Sequence, residues 1–212
     1  QPNDNERPIT ATSTTRSDVD LPEDAFVFCC FNNNYKISPA EFNVGMRILQ
    51  KVDGSVLWLL RSNKWAEGNL RKEAAARGVD PSRLVFAPKL LHSEHLARHK
   101  HADLFIDTFN VNAHTTASDA LWSGLPVVTK KGQQFAARVA ASLLTAIGLP
   151  ELITETEEQY EKLILELASH PAQLHELKAK LAENRLKAPL FDTIRYTRNF
   201  ERGLTQVYNR YL

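Results

Sequence analysis

Cysteine is nearly missing from the 212 residues, and the two present, Cys29 and Cys30, are neighbours in one apolar run. A disulfide between adjacent residues needs strained geometry, so a stapled framework is excluded, as is a metal site built on thiolates. The pair reads as buried thiols of a cytoplasmic protein. One-sided charge is missing too. Lys and Arg number 26 against 25 Asp and Glu, a formal net charge of +1. That balance excludes nucleic-acid binding through bulk charge and leaves only a local basic patch for it. The longest apolar run, Ala25 to Phe31, is far too short to span a bilayer, so no membrane partner is expected. No charged segment followed by an apolar stretch opens the chain, so no signal peptide is expected within it.

What is present is an ordinary globular composition, 43% apolar and 24% charged, in a chain long enough to bury a real core. The first 24 residues are polar, rich in Ser, Thr and Asp, and without apolar periodicity. They read as a linker or draped arm, and a linker at the start leads us to expect further protein before it.

From Ala25 an alternation of strands and helices begins. AFVFCCF (25–31), SVLWLL (55–60), RLVFA (83–87), DLFID (103–107) and PVVT (126–129) are short, continuous apolar runs, as strands buried on both faces require. Between them lie expected helices. Ser38 with Pro39 and Glu41 makes a capping box for a helix ending near Val52. Others cover Ala66 to Arg77, Ser93 to His101, 115–124 and Phe135 to Ile147, with Gly78, Gly124 and Gly148 as stops. Beyond them, helices are expected over roughly 155–169, 172–186 and 192–210. The pattern is an α/β fold, a Rossmann-like parallel sheet with right-handed crossovers and flanking helices. In such sheets ligands bind beyond the carboxyl ends of the strands, and those loops are rich in Asn, His, Lys and Thr.

The loop after the fourth strand, Asp107 to Thr116, runs straight into a helix start. A helix N-terminus offers unpaired amides and a positive dipole end, and His114, Thr115 and Thr116 add donors in the same place. That is a diphosphate cradle without a glycine-rich loop. Ordinary capping by Thr115 or Thr116 explains the same local pattern. Lys36, after the first strand, could neutralise a phosphate opposite that terminus, or be a solvated surface lysine. Asn32, Asn33 and Asn34 suit a turn or polar contacts to a ligand. His95 and His99 have the spacing of a two-histidine zinc helix, but the HExxH order and a third ligand are missing, so no metal site is expected. His95 could instead stack on a base, with Arg98 at the base edge. Asp119 could accept from ribose hydroxyls, or serve the helix dipole.

Taken together, FNNNYKISP (31–39), VLWLL (56–60), FAPKLLHSEHLARHKHADLFIDT (86–108), NAHTTASDALWSGLPVVT (112–129) and AARVAASLL (136–144) resemble the protein O-GlcNAc transferase family. The resemblance is to the C-terminal catalytic lobe of its bacterial members and covers Phe26 to Leu212. It implies a GT-B glycosyltransferase of two Rossmann-like lobes, preceded by tetratricopeptide repeats, with a UDP-sugar held mainly by the C-terminal lobe. It further implies inverting transfer of N-acetylglucosamine from UDP-GlcNAc to Ser or Thr hydroxyls of an acceptor protein, with no metal cofactor. On this resemblance Lys36 corresponds to the lysine that contacts the diphosphate. His114, Thr115 and Thr116 correspond to the diphosphate-binding run, and Asp119 to the ribose-binding aspartate. His95 and Arg98 pack around the uridine, while the backbone of Leu90 meets the uracil. Asn33 and His92 stand where animal enzymes have Gln and Lys, which leaves the donor sugar open; UDP-glucose and GDP-fucose are the alternatives. A non-catalytic nucleotide-binding module is the rival of another class. The proposed base and acceptor residues of the family lie in the N-terminal lobe, outside this chain. The expected organisation is an arm over 1–24, the nucleotide-sugar lobe over 25–190, and a C-terminal helix over 191–212 reaching toward the other lobe.

Overall fold

The computed structural model describes residues 3–11 and 13–212; Gln1, Pro2 and Thr12, part of the expected arm, lie outside the described residues. Six strands form one parallel sheet: β1 (Val27–Cys30), β2 (Val56–Leu60), β3 (Leu84–Ala87), β4 (Leu104–Ile106), β5 (Val127–Lys130) and β6 (Ile153–Thr154). Their order is β3-β2-β1-β4-β5-β6. Cys29 pairs with Trp58 on one side and Phe105 on the other, so β1 is central. The order reverses between β1 and β4, which places the crevice of the fold above their carboxyl ends. The five expected strands are present. β6 was not expected; a two-residue edge strand is too short to carry a period, and it is recruited by pairing Thr129 with Ile153.

The helices are α1 (Pro39–Lys51), α2 (Lys64–Ala76), α3 (His92–Arg98), α4 (Thr115–Trp122), α5 (Val139–Ile147), α6 (Glu157–Ser169), α7 (Pro171–Asn184) and α8 (Thr193–Tyr211). The capping box of α1 forms as expected, with the Ser38 amide donating to Glu41 Oε2 at 2.9 Å. α2 starts two residues earlier than expected, because Asn63 caps it through the Ala66 amide at 2.9 Å. Residues 135–137 form a separate 3-10 turn instead of the first turn of α5. That turn folds back on Gly132, whose amide donates to the Ala137 carbonyl at 2.7 Å. A Cβ at Gly132 would lie 2.5 Å from that of Ala137, so only glycine admits the approach. α3 is also shorter than expected and ends in a 3-10 turn over His99–His101.

Trp58, Phe28, Phe31 and Phe105 fill the centre of the core, and Cys29 and Cys30 are free, buried thiols within it. Burial pushes the Cys30 thiol up to about 12, which leaves it unreactive. Among the described residues no helix is long and apolar enough to cross a membrane. The arm lies along the sheet's flank. Arg16 donates to the carbonyls of His101, Glu23 and Ala25 and to Asp103 Oδ2, Leu21 is buried, and the Thr10 amide reaches the Ser93 carbonyl at 3.2 Å. α8 contributes no buried residue; Ile194, Phe200, Leu204, Val207 and Tyr211 on it are exposed.

Candidate functional site

The crevice between the loops after β1 and β4 is organised by a buried carboxylate. Asp107 Oδ1 accepts from the amides of Ala113 (2.6 Å) and Thr108 (2.8 Å) and from Asn32 Nδ2 (3.2 Å), and Oδ2 accepts from Thr129 Oγ1 (2.7 Å). Burial pushes its carboxyl up to about 6 against those hydrogen bonds. Asn32 carries the connection onward, its Oδ1 accepting from Thr116 Oγ1 at 2.6 Å. Glu41 braces the far side of the same loop, its Oε1 accepting from the Phe109 amide at 2.7 Å. The loop entering α4 is therefore held rigid before any ligand arrives.

His114 occupies the position before α4, with Thr115 and Thr116 as its first residues. No side chain caps this helix, and the amides of Thr115, Thr116 and Ala117 have no partner among the described residues. His114 turns sideways, its Nε2 lying 3.1 Å from the Ala136 carbonyl oxygen. Thr115 is exposed. Lys36 comes from the opposite loop and donates from Nζ to the Asn112 carbonyl at 3.1 Å. The ammonium is thus anchored three residues before the first residue of α4. Asn33 lies at the rim, exposed, with Nδ2 donating to Tyr35 Oη at 3.3 Å.

α3 forms the second wall. Arg98 is buried, its guanidinium 4.5 Å from the Phe31 ring centre, donating to the Pro88 carbonyl and to His95 Nδ1. Burial lowers it to about 10, still a cation at neutral pH. With Nδ1 accepting from Arg98, the proton of a neutral His95 belongs on Nε2. Burial, then the neighbouring His99 and Arg98, pulls His95 down to about 3, so its ring stays a neutral, flat face. His99 packs edge-on against His95, with Nδ1 at 2.8 Å from the His95 carbonyl oxygen. Among the described residues no group of three His, Cys, Asp or Glu is placed to hold a metal ion. Leu90 is 44% exposed and lines a cavity with Arg98 and arm residues Thr10, Ala11 and Thr14. His92 Nε2 stands 3.3 Å from Asp119 Oδ1. Asp119 itself is buried, and Arg7 of the arm donates to the same oxygen at 2.5 Å.

The fold agrees with that of known proteins. The pattern described as glycosyl transferase family 41 matches residues 2–200. The chain belongs to glycosyl transferase family 41. Within it, the UDP-N-acetylglucosamine--peptide N-acetylglucosaminyltransferase of Caenorhabditis elegans is 40% identical over 97% of this chain and 18% of its own length. The probable enzyme of the same name, SEC, from Arabidopsis thaliana is 42% identical over 92% of this chain and 20% of its own length. The chain thus spans about a fifth of the curated relatives it matches. Among solved structures, a variant of the Thermobaculum terrenum O-GlcNAc transferase superposes with a TM-score of 0.82 at 28% identity, covering 89% of this chain and 38% of that one. The sucrose-phosphate synthase of Thermosynechococcus elongatus, at 14% identity and a TM-score of 0.64 over 90% of this chain and 48% of that one, shares the fold. The sheet with its flanking helices is accordingly the C-terminal lobe of a GT-B glycosyltransferase.

Within this family 41 lobe, the residues that support the site carry little signal in the sequence. In the sequence Asp107 stands at a strand end and opens the loop to Thr116, but neither it nor Thr108, Asn112, Thr129 or Glu41 carries a ligand role there. Asp107, Thr108 and Thr129 show only a polar residue at the carboxyl end of an apolar strand, which is common to strand ends, and Glu41 shows only its capping box.

Proposed function

We propose that this chain is the donor-binding lobe of a protein O-GlcNAc transferase, holding UDP-GlcNAc for inverting transfer of N-acetylglucosamine to Ser or Thr hydroxyls. The observation that carries the reading is the meeting of Lys36 with the uncapped start of α4 across the reversal of strand order. As the bond from the sugar to the diphosphate breaks, negative charge grows on the departing oxygen. Preorganised amides and an ammonium stabilise it more in water-poor surroundings than solvent would. Their rigidity comes from Asp107, Asn32 and Glu41, so little reorganisation accompanies the step. His114, Thr115 and Thr116 complete the diphosphate cradle. The neutral ring of His95, held by Arg98, gives the uracil a stacking face, the Leu90 backbone meets its edge, and Asp119 and His92 face the ribose side. Asn33 lies where the sugar would project.

On this reading the acceptor groove and general base belong to the N-terminal lobe, tetratricopeptide repeats precede it, and the exposed apolar side of α8 docks there. The buried free thiols suit a reducing compartment such as the cytoplasm. Orientation of two reactants supplies roughly 7–11 kcal/mol of barrier lowering, which one lobe lacks. Calorimetry is expected to show UDP binding to this chain, while radiolabelled transfer to peptide appears only when the N-terminal lobe is supplied. No binding at millimolar UDP by folded protein, or transfer by this chain alone, would refute the reading.

A further inference from the structure

The geometry points to Arg7 as a positioning residue that sets Asp119 for the ribose diol, an inference that rests on the donor-lobe reading above. Asp119 lies one turn into α4 and its side chain is only 6% exposed. A carboxylate so removed from water needs a cation and a fixed geometry. Both come from the arm, 112 residues earlier: Arg7 Nη1 donates to Asp119 Oδ1 at 2.5 Å and Nη2 to Ser118 Oγ at 3.2 Å.

The guanidinium is itself clamped. It lies 5.5 Å from the Trp122 ring centre and 5.6 Å from that of Phe191. Its Nε donates to the Asp4 carbonyl at 3.1 Å, while the Arg7 carbonyl accepts from Trp122 Nε1 at 3.1 Å. Ser118 passes the restraint on by donating to Asn3 Oδ1 at 2.6 Å. The arm is thus a strap tied to α4 and to the turn Pro189–Phe191.

The chemistry left over at Asp119 is specific. Oδ1 is shared by Arg7 and by His92 Nε2 at 3.3 Å. Oδ2 accepts nothing from the described residues and is not among the sealed atoms without a partner. It is the oxygen left for a hydroxyl donor, and the Arg7 contact fixes where its lone pairs aim. An arginine suits the task because its planar fork reaches Asp119 and Ser118 together, which a lysine ammonium cannot do with the same rigidity.

The test is calorimetric binding of UDP and of 2′,3′-dideoxy-UDP to the full 212-residue chain, as wild type, Arg7→Ala, Arg7→Gln and Arg7→Lys. Melting curves verify that each is folded. Wild type is expected to prefer UDP over the dideoxy compound, and Arg7→Ala to lose roughly tenfold for UDP but under about twofold for the dideoxy compound. Arg7→Lys should restore part of that preference. Arg7→Gln, which keeps the stem over Trp122, decides the matter in the same way if Arg7→Ala does not fold. Equal losses for both ligands would make Arg7 a structural strap only and overturn the inference. Tighter UDP binding by the variants would overturn it too, by making Arg7 a competitor for the carboxylate. A wild type that binds UDP and its dideoxy form equally removes the inference and leaves the donor-lobe reading standing. A folded wild type that binds no UDP removes that reading itself.

Discussion

Lys36→Ala isolates the electrostatic half of the phosphate cradle. The substitution removes an ammonium 3.1 Å from the Asn112 carbonyl, at a half-buried position on the rim of the crevice. Water can replace the lost donor there, so the unfolding free energy should fall by only about 0.5–1.5 kcal/mol. The ligand feels more. A charge-assisted hydrogen bond to a phosphate is worth about 1.5–3 kcal/mol, which converts to a loss of roughly 10- to 150-fold in UDP affinity. A bare Coulomb estimate of about 4 kcal/mol, for unit charges ~4 Å apart at an effective dielectric of ~20, sets the upper end. Uridine has no diphosphate and should lose less than about twofold. Calorimetry with both ligands at ~0.1 M salt measures the contrast, which should shrink at higher salt because the site is open to solvent. Lys36→Arg keeps the charge and should recover part of the UDP affinity. Equal losses for UDP and uridine, or a UDP loss under about threefold, would refute the assignment of Lys36 to the diphosphate.

Two further outcomes follow from the packing. Burial holds His95 at about 3 and His99 at about 4 in the folded chain, so the unfolded chain binds more protons below their ordinary value of 6.5, and stability rises with pH between about 5 and 6. Each such histidine contributes about 1.4 kcal/mol per pH unit, His101 is lowered in the same sense, and Asp107, raised to about 6, opposes them by at most one proton. His95→Phe should remove close to one proton from that slope in urea titrations at pH 5, 5.5 and 6; an unchanged slope would show that the ring already titrates freely. Gly132→Ala places a methyl 2.5 Å from Ala137 Cβ and displaces the turn whose Ala136 carbonyl holds His114 Nε2 and the Asn112 amide. It should cost about 1–3 kcal/mol and weaken UDP as well, by thermal melting and calorimetry. Unaltered melting and affinity would mean that the turn yields without disturbing the helix start.

The alternation of strands and helices was legible because it is local. A strand covered on both faces must be apolar throughout, and AFVFCCF and VLWLL satisfy that without reference to anything distant. Ser38 with Glu41, and Gly148 in its left-handed conformation at φ 79°, mark helix ends for equally local reasons. Lys36 and the run His114-Thr115-Thr116 could be nominated because strand ends and helix starts carry recognisable chemistry. Which strand end faces which was not local information. The order β3-β2-β1-β4-β5-β6 sets β1 against β4, and only that pairing brings Lys36 to Asn112 across 76 residues. The acceptor role of Asp107 depends on four donors drawn from two separate loops and from β5. Arg7 gave no sign in a polar, aperiodic arm, since its partners Asp119, Trp122 and Phe191 are assembled by the folded core alone. Periodicity reports which face of an element is buried, whereas the pairing of polar groups is decided by the packing that brings distant elements together.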